Sequence, residues 1–327
     1  MSTGGGVLGE AFQEEVGAER ATPAEIAARS PTRLMWSRFR EDRVAMVALV
    51  FIGFLILVAI FAPQIVSLLG APPPNRLDRS ALDSFGTPTG PSSKHWFGVD
   101  PLGRDVLART IYGARVSLYV AIVATGIATV IGVVLGLWSG FYRGWADTLI
   151  SRFMDVLLAF PVLLLAIGLA SACSLGKGCV GGLIQPGLPV VILVIALVSW
   201  PYLSRLIRGQ VLSLREKEFV EASRSLGASN TRIVFREVLP NMWAPIIVYA
   251  TLVIPTNVLF EAALSFLGVG VQPPTASWGA MLADATGSFD TAWWYMVFPG
   301  MALVLTVLAF NLVGDALSDA LNPRRLD

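Results

Sequence analysis

Residues 216–241 read EKEFVEASRSLGASNTRIVFREVLPN, a polar and basic stretch set between two long apolar runs. Phe219, Ala222 and Leu226 recur at i, i+3 and i+7, which places them on one face of a helix. Arg215, Glu218 and Arg224 lie off that face. Gly227 stands where a helix ends in a residue of positive φ. Asn230 or Thr231 is placed to cap a second short helix carrying Ile233, Val234 and Val238, and Pro240 stops it. The spacing therefore predicts a helix-turn-helix on a membrane surface, with apolar knobs and a charged rim. Two readings stand: a docking element for a protein partner, or an interfacial helix lying on lipid headgroups.

The rest of the chain says which solvent surrounds this loop. Of 327 residues, 54% are hydrophobic and 14% charged, and the mean hydropathy is +0.67. A soluble domain carries about 25% charged residues, so the composition points to a membrane protein. A net charge of +1 gives no basic field of the kind that nucleic-acid binding needs. One histidine and two cysteines argue against a His/Cys metal site and a Cys-His nucleophile. No GxxxxGK[ST], HExxH or GxSxG occurs, so any ATP-driven work requires an ATPase on another chain.

Residues 1–32 are rich in Gly, Ala, Glu and Ser and read as a disordered cytoplasmic tail. Residues 33–62 hold Arg33, Arg38, Arg40 and Arg43, then a first span over Val44–Ala62, long enough for a hydrocarbon core of roughly 30 Å. Residues 63–115 read as an extracytoplasmic segment: a proline-rich linker, then an amphipathic surface stretch from His95. The core, 116–316, carries five further spans: about Val116–Trp138, Leu149–Ala170, Leu188–Leu206, Trp243–Leu267 and Trp293–Leu312. The polar loop, 213–241, separates the fourth from the fifth. Residues 317–327 form a polar tail. Gly132, Gly136 and Gly140 recur every four residues, a face that lets two helix backbones approach closely in lipid.

Six spans put both termini on one side. With the N-terminus inside, the 24 basic residues divide 17 inside to 7 outside, so the positive-inside rule places both termini and the loop in the cytoplasm. Cys173 and Cys179 then fall outside, where a disulfide persists; a disulfide and free thiols both remain open. Asp155 and Glu261 lie in spans, where a charge is costly. They either line or gate a path, or pair locally, Asp155 with Arg152 and Glu261 with the following QPP loop. Arg104 and Asp105 lie outside, either as a contact to a binding protein or partner, or as a structural ion pair.

EASRSLGASNTRIVFREVLPN resembles the EAA loop of ABC-importer permeases, with Glu221, Ala222, Gly227, Leu239 and Pro240 at its pattern positions and Ser223 in place of the second alanine. Glu237 stands where relatives carry histidine or an aliphatic residue. Four further blocks resemble one branch, the "C" type subunit of the dipeptide, oligopeptide and nickel permeases: HWFGVDPLGRDVLARTIYGARVSL from His95, DVLLAFPVLLLAI from Asp155, EAALSFLGVGVQPPTASWG from Glu261, and NLVGDALSDALNPR from Asn311. In the last, Ser318 and Asn322 replace the usual Arg and Asp. The likeness covers about residues 33 to 325.

This resemblance implies an all-α integral membrane protein of six transmembrane helices, N-in and C-in, with the type I ABC-importer permease fold and a cytoplasmic EAA coupling loop. Phe219, Glu221, Ala222, Ser223, Leu226, Gly227, Leu239 and Pro240 would meet the ATPase. The implied partners are a second permease, two ATP-binding subunits that hold ATP and Mg, and an extracytoplasmic solute-binding protein, in a bacterial cell membrane. This chain would carry no cofactor and no metal. Dipeptides or oligopeptides are the expected cargo; nickel complexes, glutathione or another small solute are alternatives. A proton-coupled secondary transporter would need paired intramembrane carboxylates and an inverted repeat, and an intramembrane enzyme a nucleophile-base pair; neither pattern is found in the spans.

Overall fold

The computed structural model describes residues 31–174 and 178–321; the N-terminal tail and the last six residues lie outside these. A first helix, α1 (Pro31–Glu41), breaks at Asp42, whose carboxylate accepts from the amides of Val44 and Ala45 and so caps α2 (Arg43–Ile60). Capping satisfies amides that have no partner within the helix, and it fixes the start of the first span just after the basic residues. A short α3 (Ala62–Leu68) follows.

The next helix departs from expectation. Asp105 caps it by accepting from Ala108, so α4 runs from Val106 to Tyr142 and begins ten residues before the predicted Val116. The segment before it is no amphipathic surface stretch. Asp100, Arg104, Asp105 and Arg109 are all buried, and the preceding linker folds over them. Arg109 reaches back to the carbonyl of Pro74 and the side chain of Asn75, and the indole of Trp294 donates to the carbonyl of Val99. Proline-rich sequence looked like a linker because its ties are long-range and leave no period.

The third predicted span is broken. Phe160 is extended because a residue preceding proline is pushed out of the helical region. Pro161 thus separates α5 (Gly144–Ala159) from α6 (Val162–Ser174), which meet at a bend of 92°. α7 (Leu188–Leu214) and α8 (Glu218–Ser225) lead into the polar loop. There α9 (Asn230–Ile233), a π-helical turn over Val234–Val238 and α10 (Leu239–Asn241) form its second half. The turn precedes Pro240, which has no amide to continue an α-helical ladder. α11 (Trp243–Phe266) and α13 (Trp293–Leu321) are the last long helices; α13 carries the predicted tail on as helix to residue 321. Between them lies α12 (Trp278–Ala285), capped by Ser277. Among the described residues five helices are long and apolar enough to cross a membrane, or six with α5 and α6 taken as one bent span.

α4 and α7 form the central contact. A Cβ on Gly136 would lie 2.7 Å from Ile207 Cβ and 2.8 Å from the Ser204 carbonyl; at Gly132 and Gly140 it would meet Leu203 and Val211. The four-residue glycine repeat thus meets the four-residue repeat of Leu203, Ile207 and Val211, close packing without a hydrophobic drive between helices in lipid. Gly136→Val overfills this seam and is expected to cost about 1–3 kcal/mol, measured as a lower midpoint of thermal unfolding in detergent. Gly126→Val, on an open face of the same helix, is expected to leave that midpoint unchanged.

Candidate functional site

The loop is built as a helix with one floor and one free face. Glu218 and Glu221 sit in the first turn of α8, where carboxylates complement the helix dipole. Its end is a two-bond cap: the Gly227 amide donates to Arg224 and the Ala228 amide to Ser223, with Gly227 at φ 80°. That pair of bonds is the Schellman arrangement. The cap of the following α9 is Ser229, which accepts from the Arg232 amide, not Asn230 or Thr231.

Val220 supplies the floor. It is fully buried, and with Ile233, Val234, Val238 and Met242 it packs onto Leu137 and Phe141 of α4 and Ile207 and Val211 of α7. The predicted knobs point the other way. Phe219 is 38% exposed and Leu226 89%; Glu221, Ala222, Gly227 and Pro240 are exposed too, while Ser223 and Leu239 are half-buried. The geometry is a short helix fixed on its underside, with an apolar and acidic face left open. Sequence reasoning missed Val220, since one buried residue in two helical turns leaves no period to read. Glu237 lies half-buried in the π-helical turn, where its carbonyl accepts from Asn241.

Ion pairs tie the loop to the spans around it. Arg208 of α7 donates two hydrogen bonds to Asp147 of α5, at 2.6 and 2.8 Å, the fork geometry that makes arginine-carboxylate pairs strong. Arg215 donates to the carbonyl of Phe141 at 2.6 Å. Desolvation, and then the nearby Arg143, draw its pKa below the ordinary arginine value, yet an arginine so placed stays charged. Arg143 pairs with Glu216 at 3.1 Å. Asp155 pairs with Arg205 of α7 at 2.6 Å, and not with Arg152 as expected; arginine at 205 is one helix away in space but fifty residues on in sequence.

At the opposite end the side chains proposed as partner contacts are closed in. Asp105 caps α4 and also meets His95 Nδ1 at 2.8 Å. Arg104 pairs with Asp100 and lies 3.7 Å from Asp284. With exposures of 8% and 1%, Arg104 and Asp105 present no face to a binding protein; they fold the cap. On its surface Asp78 is held down to about 2 by hydrogen bonds from Ser80 and Lys94. Glu261 is fully buried where α4, α11 and the start of α12 meet, with Ser117 and Ser277 beside it. Ser265 donates to its Oε1 at 2.7 Å and accepts from the Val271 amide. Glu261 thus holds the turn that precedes Gln272. Cys173, in the last turn of α6, is joined to Cys179 as a disulfide. Among the described residues no cluster of His, Cys, Asp or Glu is arranged to hold a metal.

A bundle of long apolar helices that carries an anchored polar helix-turn-helix defines an integral membrane protein with one ordered, exposed polar element. Residues 132–327 match the family described as binding-protein-dependent transport system inner membrane component, and residues 30–80 match the N-terminal transmembrane domain of oligopeptide transport permease C. The chain belongs to this family of ABC-transporter permeases. It is 43% identical over 302 residues to the dipeptide transport system permease protein DppC of Alkalihalophilus pseudofirmus, covering 92% of each chain. It is 44% identical over 296 residues to the glutathione transport system permease protein GsiD of Escherichia coli O6:K15:H31, covering 90% of this chain and 91% of that one. A solved structure described as an inward-facing conformation of the MetNI methionine ABC transporter shares its fold, with TM-score 0.55 and 21% identity over 66% of this chain and 97% of that one. The fold is thus that of a type I ABC-importer permease, and the protein is a multi-pass component of the bacterial inner membrane.

The Gly227 cap gives a direct check on the loop. At φ 80° a side chain is strained by about 1–2 kcal/mol, so Gly227→Ala is expected to raise the open population of this turn about five- to thirtyfold. Limited trypsin cleavage after Arg224 should accelerate by that factor, while Ser225→Ala leaves the rate unchanged.

Proposed function

We propose that this chain is one of two permease subunits of an ATP-driven importer of dipeptides, and that residues 213–241 couple it to a separate ATPase. The single observation that supports the coupling role most is the two-sided build of α8: Val220 is locked to the α4–α7 seam, and Phe219, Glu221, Ala222 and Leu226 stand free on the other face. A helix held this way passes a push to the spans as a rigid body. A flexible loop would absorb it. The excess of basic residues on the loop side favours a cytoplasmic loop and termini. In this reading two ATP-binding subunits hold ATP and Mg, a second permease completes the path, and an extracytoplasmic binding protein delivers the solute. The likeness to GsiD favours glutathione, itself a short peptide, as the second cargo to test.

Proteoliposomes holding both permeases, the ATPases and a loaded binding protein test this. Labelled dipeptide is expected to enter only with ATP. Phe219→Ala combined with Glu221→Ala is expected to lower uptake at least tenfold and to weaken co-purification of the ATPases, while the two permeases still purify together. Undiminished uptake and ATPase retention in that variant would refute the coupling role.

A further inference from the structure

A cavity of 340 Å³ lies between the start of α6, the middle of α7 and the middle of α11, where the 92° bend at Pro161 swings α6 aside. Pockets for small solutes begin at about this size, near 300 Å³. Its wall is apolar over most of its area, through Val162, Val198 and Val253, yet it also carries a row of polar side chains. Ser199, Tyr202, Tyr249, Thr256 and Asn257 line it, with Phe260 towards the far end of α11. Asn257 is fully buried and fixed: its amide donates to Thr125 at 2.8 Å and its oxygen accepts from Ser199 at 3.0 Å. Tyr202 and Thr256 open onto the protein surface. Among the described residues no protein group hydrogen-bonds the hydroxyls of Tyr202, Tyr249 or Thr256.

Three hydroxyls, Tyr202 on α7 and Tyr249 and Thr256 on α11, thus have no partner within the described residues; hydrocarbon cannot satisfy them, so water, a polar solute or the second permease must. The contrast is the larger groove of 490 Å³ between α2 and α13, walled by residues such as Val47, Phe51, Leu305 and Leu308 with no hydroxyl among them. That is the composition lipid tails favour. We infer that the α6–α7–α11 cleft is a contact point for the peptide main chain on the translocation path. This rests on the importer reading above and goes beyond it by naming the residues that touch the solute and the chemistry they read. The free hydroxyls offer donors and acceptors to the N–H and C=O that every peptide carries, whatever its side chains, and Asn257 holds the wall behind them. The lining holds no formal charge, so the contact is weak enough to release the solute, as a path requires.

The test uses the complete transporter in proteoliposomes. Tyr249→Phe combined with Thr256→Val is expected to lower dipeptide uptake at least fivefold while the loaded binding protein still stimulates ATP hydrolysis. Normal uptake by this variant overturns the cleft and leaves the importer reading standing. If the unsubstituted complex hydrolyses ATP yet moves no dipeptide, both readings fall. A second measurement does not depend on uptake: Thr256→Cys is expected to react with a water-soluble thiol reagent during turnover and to be slowed by dipeptide, whereas Leu308→Cys in the apolar groove stays unreactive. A Thr256→Cys that never reacts shows the face sealed against the second permease or lipid, and overturns the inference.

Discussion

The glycine seam between α4 and α7 is the contact on which everything else depends. Gly136 lets Ile207 lie against the α4 backbone, and Ile207 also belongs to the cluster that buries Val220 and Ile233. One side chain therefore closes the transmembrane seam and floors the polar loop. Displacing the loop without displacing α7 would expose Val220, Ile233, Val238 and Met242 together. At about 1.5–3 kcal/mol for each large apolar side chain, exposing the four would cost on the order of 6–12 kcal/mol. Loop and seam behave as one body for this reason, and the charged pairs add to it unequally. The bidentate, half-buried Arg208–Asp147 pair has the geometry to contribute. The Arg205–Asp155 pair, half-exposed on both sides, contributes little.

Polarity is distributed in three layers, and each follows from its solvent. The cap formed by residues 71–105 buries Asp100, Arg104 and Asp105, and none is left alone: Arg104 pairs with Asp100 and approaches Asp284, and Asp105 meets His95, because an isolated charge could not be left inside. The middle of the spans is neutral, with hydroxyls and Asn257 where a cleft opens. The loop end is charged and exposed. Two carboxyls within spans depart from this: Asp155 is paired with Arg205, and Glu261 is enclosed among serines and serves the turn after α11.

Much of this was legible in the sequence. The apolar runs announced the spans, the glycine repeat announced the seam, and Gly227 announced the end of α8, since each depends on local chemistry with a short period. What stayed hidden depends on partners far along the chain. Pro161 looked tolerable within a span, as many prolines are; whether it bends by 92° is decided by what α6 finds to pack on. Arg104 and Asp105 looked exposed because their ion pairs and the folded cap around them are tertiary. The short helix that begins at Trp278 stayed hidden too, since the Trp278 indole donates to the Thr110 carbonyl on α4, 168 residues away in sequence. Val220 was silent for the same reason: its burial is made by α4 and α7.

The central claim is that the loop and the seam move together. Spin labels at Phe235→Cys on the loop, off the face assigned to the ATPase, and Val130→Cys on α4, both at exposed positions, report the distance between them in the complete transporter. One narrow distance, unchanged between the nucleotide-free and ATP-bound states, is the predicted result. A distribution that broadens or shifts by several ångströms on ATP binding would contradict it, because the loop would then be yielding where it is held to transmit.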